Sequence, residues 1–168
     1  VWNLQLADGG PWIVPGNYTV TMNSGGSTYS QPLRVGMDPR IHVSDAALRK
    51  QYEFANQILA TRELVKSLQQ QSGARLKALR GGSASPATLE ALSALVGIAP
   101  PTDPNNSVGP LDTDISSLRY LGNALDGLEQ TVESADTAPT LDAQTKYAHL
   151  RMLYVKNKAA WERLKAAK

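Results

Sequence analysis

Few residues in this chain could do chemistry. Histidine occurs only at His42 and His149. His42 falls in a junction between elements and His149 inside a helix beside apolar residues, so neither supplies the paired ligands of a helical metal site. Cysteine is absent, which removes thiol nucleophiles, thiolate metal ligands and disulfides together. Paired carboxylates could serve glycoside hydrolysis. Asp112 and Asp114 open a predicted helix, however, where acids are expected for capping and for the helix dipole. Glu129 and Glu133, four residues apart, read as solvated charges on a polar face. Gly81-Gly82 follows a helix rather than a strand, the wrong order for a phosphate loop. The expectation is no catalytic residue, no metal ligand and no cofactor.

Other side chains could bind. Trp2, Trp12, Tyr18 and Tyr29 belong to the strand-like opening of the chain. Aromatics at a sheet edge suit strand addition or sugar stacking, although the same residues could simply be core. The last predicted helix carries Lys146, Arg151, Lys156, Lys158, Arg163, Lys165 and Lys168, interleaved with Tyr154, Trp161 and Leu164. Basic residues scattered in this way form a solvated face rather than a nucleic-acid interface. The two sequons, at Asn17-Tyr18-Thr19 and Asn105-Asn106-Ser107, are too short to carry weight.

Composition agrees. Of 168 residues 42% are hydrophobic and 19% charged, with a net charge of +2. A core is possible, and the balance is too even for a phosphate-backbone binder. No run approaches the roughly eighteen apolar residues of a membrane span. Val1-Trp2-Asn3-Leu4 resembles no signal peptide and includes no initiator Met, so the chain is expected to begin inside something: a mature protein, a trimmed form or a fragment.

These residues sit on two halves with different periods. In the first forty, Trp2, Leu4 and Leu6 alternate with Asn3 and Gln5 as in a half-buried strand. Tyr18 to Asn23 alternates again, Ser24-Gly25-Gly26-Ser27 closes a hairpin, and Thr28 to Val35 returns. Pro32 makes that return an edge strand or a bulge. Three strands need a cover for their apolar face, supplied by the helices or by strands upstream; the abrupt start favours strands upstream.

After Met37-Asp38-Pro39-Arg40 the period becomes helical. Ser44 caps a helix to about Arg80, ~55 Å long, with Leu48, Tyr52, Ala55, Ile58, Leu59, Val65, Leu68, Leu76 and Leu79 on one stripe and Gly73 as its weak point. Ser85-Pro86 opens a short helix. Pro100 to Asn106 forms a loop, and a second long helix runs from about Asp112 to Ser134. In that helix Gly122 and Gly127 would admit a close neighbour. Thr140 caps a third long helix to about Ala166, apolar on two adjoining stripes. One comprises Leu141, Ala148, Met152, Val155 and Ala159; the other comprises Tyr147, Leu150, Tyr154, Trp161 and Leu164. Short connections make neighbours antiparallel. The fold class is therefore α+β: a strand module over 1–40, then an antiparallel bundle of three long helices and one short helix over 41–168.

The composite resembles a known family. Val14-Pro15-Gly16-Asn17-Tyr18-Thr19-Val20, Thr28-Tyr29-Ser30-Gln31-Pro32-Leu33-Arg34-Val35 and Met37-Asp38-Pro39-Arg40 look like the "PGTYTV…YTQPLTV…MDPR" stretch near the C-terminus of bacterial sortilin-like proteins. Those proteins carry BNR/Asp-box β-propeller repeats and are often labelled glycosyl hydrolases. Ser134-Ala135-Asp136-Thr137-Ala138-Pro139-Thr140 matches the family's "SADAAPT" turn, and Trp2-Asn3-Leu4 its "WDLR" strand, with Asn3 where Asp is usual. The resemblance implies a secreted or periplasmic parent protein with an upstream β-propeller as the partner of this region. It also implies that the strands are the tail of an immunoglobulin-like module. The Asp-box repeats are not in this sequence, so no glycosidase activity can be placed on these residues. Three functions follow as expectations: a structural or interaction module without catalysis, a protein- or glycan-binding module using the aromatic hairpin, or an accessory part of a glycoside hydrolase.

Overall fold

The computed structural model describes residues 4–5, 10–80, 82, 84–97 and 116–166. Two strands, β1 (Gly16–Ser24) and β2 (Ser27–Val35), form an antiparallel hairpin. Both central turn residues have positive φ, Gly25 at 58° and Gly26 at 77°, the type I′ geometry that matches the twist of a two-residue hairpin. The register runs unbroken from Gly16–Val35 to Ser24–Ser27, with Thr19 opposite Pro32. There is no bulge. The turn makes Ser24–Ser27 a hydrogen-bonded pair, and pairs alternate from there. Pro32 thus falls at a position whose nitrogen points away from β1, and no ladder bond is lost.

The third expected strand is not formed among the described residues. Of that segment Leu4 and Gln5 are described; Gln5 makes an isolated bridge with Trp12, and the Ile13 amide donates to the Leu4 carbonyl at 2.9 Å. Trp2 and Leu6 lie outside the described residues.

Four helices follow: α1 (Asp45–Arg80), α2 (Pro86–Val96), α3 (Leu118–Glu133) and α4 (Leu141–Leu164). Side-chain oxygens of Ser44, Ser85, Ser117 and Thr140 accept first-turn amides, as N-caps do. The cap of α3 corrects the expected start at Asp112: Ser116 and Ser117 are not helical, and Asp112 and Asp114 lie outside the described residues. α1 runs through Gly73 without a break.

The side chains that cross between helices fix their directions. Gln51 near the start of α1 meets the end of α3, and Asn157 late in α4 meets the start of α3, so α3 is antiparallel to both. Tyr147 and Thr61 join the early parts of α1 and α4, which are parallel. The core combines the predicted α1 stripe, including Ile58, Val65, Leu68 and Leu76, with Leu118, Leu121, Leu125 and Leu128 of α3 and Leu92 of α2. Phe54, absent from the predicted stripe, packs edge-on to Tyr147 with ring centroids 5.3 Å apart.

α4 touches both other long helices, as its two stripes suggest, but two details of the packing differ from the sequence reading. α4 buries only one of its two stripes: Tyr147, Leu150 and Trp161 face the core, while Leu141, Met152 and Val155 face solvent, Leu141 at 76% exposure. The exposed residues lie about half a turn from the buried ones, so no neighbour within the bundle can cover them. Gly122 and Gly127 are not points of close approach, since a Cβ at either would meet nothing within 4 Å. That role belongs to Gly97, the C-cap of α2. It has φ 80°, and a Cβ there would stand 2.6 Å from Ser117 Oγ.

Candidate functional site

Several concave regions are formed by described residues. The first, about 230 Å³, lies where the hairpin base meets the bundle; Trp12, Val14, Val35, Met37, Tyr52 and Glu133 are among its walls. The second, about 470 Å³, runs between α2 and α4 over an apolar floor of Ala91, Leu95 and Ala160, with Lys156 and Arg163 at its rim. The third, about 390 Å³, is lined by polar residues alone: Gln5, Arg62, Asp126, Glu129, Gln130 and Glu133.

The acids of the third region overturn the reading of Glu129 and Glu133 as solvated charges. Glu129 is 5% exposed and pairs with the Arg62 guanidinium, whose Nε also meets Asp126 Oδ1 at 3.1 Å. Its other oxygen, Oε1, is buried without a hydrogen bond. Burial pushes the Glu129 carboxyl above its ordinary range, against the pull of Arg62. Glu133 is raised as well, first by burial, although its Oε1 accepts the Trp12 backbone N–H at 3.1 Å. Spacing explains the placement. Glu129 stands four residues after Leu125 and three before Val132, and Arg62 stands four after Ile58 and three before Val65. Both lie on the core side of their helices, where charges persist only in pairs.

Several polar side chains hold two elements together. Gln51 Nε2 donates to the carbonyls of Val132 and Ala135, both at 2.7 Å, satisfying groups that the end of α3 leaves open. Asn157 Nδ2 donates to the Ser116 carbonyl at 2.8 Å. The Tyr147 hydroxyl donates to the Gln57 carbonyl at 2.7 Å and lies 2.8 Å from Thr61 Oγ1. Asp38 is held below its ordinary range by its side-chain hydrogen bonds with Arg40, and the pair fastens the exposed junction after β2. Among the described residues no three His, Cys, Asp or Glu side chains gather as a metal site would require. His42 and His149 are both exposed.

No family model, curated protein or solved structure matches the chain. Its surface must therefore be read by itself. Of the predicted binding aromatics, the hairpin brings Tyr18 and Tyr29 to one face, together with Val20, Met22, Leu33 and Val35. Tyr18 is half-buried, with its hydroxyl donated to the Val14 carbonyl; Tyr29 is 56% exposed and Met22 57%. Trp12 is 51% exposed but stands apart from this face, at the junction with the bundle. Trp2 lies outside the described residues, and Trp12, Tyr18 and Tyr29 are not gathered into one platform. No Cα of either strand comes within 8 Å of a helical Cα. Val20, Met22 and Tyr29 of the apolar sheet face are left to water, while Tyr18, Leu33 and Val35 are half-buried. The basic residues of α4 described here surround its outward apolar stripe: Arg151, Lys156 and Lys158 are exposed beside Met152 and Val155. No described helix is long and apolar enough to cross a membrane.

Proposed function

We propose that this chain is a non-catalytic structural and interaction module, the C-terminal region of a larger secreted protein with a β-propeller upstream. One observation carries the reading. The bundle closes its own core, whereas the hairpin presents Val20, Met22 and Tyr29 to solvent. Surface of this kind marks a site of association. The acids of the polar concavity support the same reading, because Arg62 and the Trp12 amide engage them in joining elements. The propeller and the secreted location rest on the motif resemblance alone.

The test is an assay of the 168-residue chain against aryl glycosides and oligosaccharides. No turnover is expected. Hydrolysis that persists through purification and disappears in Glu129→Gln or Glu133→Gln would overturn the proposal. The exposure of Trp12 and Tyr29 favours a second reading, in which the aromatic surface holds a glycan or an extended peptide. In that case Trp12→Ala and Tyr29→Ala would each weaken retention on an immobilised glycan array, while the helical circular dichroism would stay unchanged.

A further inference from the structure

We propose that β1 is a self-association edge: two copies of this chain pair their β1 strands antiparallel about a two-fold axis at Val20. The result is a four-stranded sheet in the order β2–β1–β1–β2. This goes beyond the module proposed above and does not depend on it, since it rests on the residues of the hairpin alone.

The two edges of the hairpin differ in kind. Taken from the turn, the residues whose backbone groups point outward are Asn17, Thr19, Thr21 and Asn23 on β1, and Thr28, Ser30, Pro32 and Arg34 on β2. Natural sheets protect edges with proline, charge or bulges. β2 carries both a proline and an arginine at outward positions. β1 has no such device: all four outward residues have an N–H to donate, and no residue from Gly16 to Ser24 is charged. No Cα of a described helix comes within 8 Å of a Cα of either strand.

β1 is also nearly the same read backwards. Asn17-Tyr18-Thr19-Val20-Thr21-Met22-Asn23 centres on Val20. In an antiparallel pair about that centre, Thr19 stands opposite Thr21 of the second copy and Asn17 opposite Asn23. On the other face Tyr18 stands opposite Met22, and Val20 meets Val20. Thr–Thr and aromatic–aliphatic neighbours are the cross-strand pairs that stabilise sheets, and no like charges oppose one another. An uncharged, self-complementary edge fits a second copy better than a charged partner. Pairing over nine residues sets the hairpin bases ~30 Å apart, at opposite ends of the sheet. The shared edge is narrow for a protein interface, so the dimer is weak and forms in the micromolar range or above.

Thr21 and Ser30 supply a matched test, because they face each other across the hairpin at a non-hydrogen-bonded pair. Thr21→Pro and Ser30→Pro leave the β1–β2 ladder equally intact and differ in which outer edge loses a donor. Sedimentation equilibrium of the full chain, up to on the order of 500 µM, should show a monomer–dimer equilibrium. Thr21→Pro should raise its dissociation constant by about tenfold or more. Ser30→Pro should change it less than about twofold. Val20→Cys, in a chain without other cysteines, should oxidise to a disulfide dimer, since opposed non-hydrogen-bonded residues have the required spacing. Thr21→Pro should suppress that crosslink. A monomer throughout the range would overturn the proposal. So would equal weakening by the two prolines, or a dimer that survives Thr21→Pro, which would place association elsewhere on the surface.

Discussion

Replacing Arg62 with Met would isolate Glu129, a buried acid whose charge is held from another helix. Arg62 gives Glu129 its ionic partner across the α1–α3 interface, and Glu129 is 5% exposed with Oε1 already unpartnered. Removing the guanidinium strands a carboxylate, and a stranded buried charge costs a few kcal/mol. Arg62 retains some solvent and Asp126 is half-exposed, which places the loss at the lower end, about 2–3 kcal/mol near pH 7. In a chain of this size that is a fall in Tm of roughly 5–10 °C.

The sign of the pH effect follows from the direction of the Glu129 shift. Its native carboxyl is raised above the ordinary 4.5, and loss of Arg62 raises it further. The native state therefore binds this proton more tightly than the unfolded chain does. The stabilisation from that proton is complete below the unfolded value and is lost as pH rises through the native one. The deficit of Arg62→Met should shrink on going from about pH 7 to about pH 5, by at most ~1.4 kcal/mol per unit. Arg62→Met combined with Glu129→Leu should return to within about 1 kcal/mol of the parent, because an apolar pair at a core position needs no partner. Urea unfolding followed at 222 nm at both pH values measures all three. A single variant losing less than about 0.5 kcal/mol, an equal deficit at both pH values, or simple additivity in the double variant would refute the reasoning.

Two further outcomes test the packing. Leu121→Ala, at a residue with 0% exposure, should cost about 2–5 kcal/mol in urea unfolding, whereas Leu141→Ala, at 76% exposure, should cost less than about 0.5 kcal/mol. Gly97→Ala should destabilise by about 1–3 kcal/mol through its positive φ and its contact with Ser117. Adding Ser117→Ala would relieve part of the clash but remove the cap of α3, and thermal unfolding of the pair should show the loss only partly recovered.

How far the sequence could be read depended on which interactions are local. Caps and turns were legible: Ser44, Ser85 and Thr140 stand where short-range chemistry puts them, and Gly25-Gly26 forms the expected turn. So were the hairpin and the helical stripes, whose periods are 2 and 3.6. The buried Glu129 was misread because a carboxylate is polar by type, although its spacing from Leu125 and Val132 followed the core. Only the matching position of Arg62 on another helix makes that burial tolerable, and partners 67 residues apart are invisible to a local pattern. That only one stripe of α4 is buried was hidden for a related reason. Periodicity shows that a face is apolar, but whether a neighbour reaches it depends on how many helices the bundle has. The glycines failed in the opposite direction: Gly122 and Gly127 sit in open space, and the glycine that is needed, Gly97, marks the end of a helix.

The separation of the hairpin from the helices has a calorimetric consequence. A ribbon largely exposed on both faces releases little apolar surface when it melts, so it adds little to the heat capacity of unfolding. That quantity belongs mainly to the residues outside the hairpin and amounts to ~2.0 kcal/mol/K, rather than the ~2.3 kcal/mol/K that 168 residues in a shared core would give. In energetic terms the molecule is smaller than its chain.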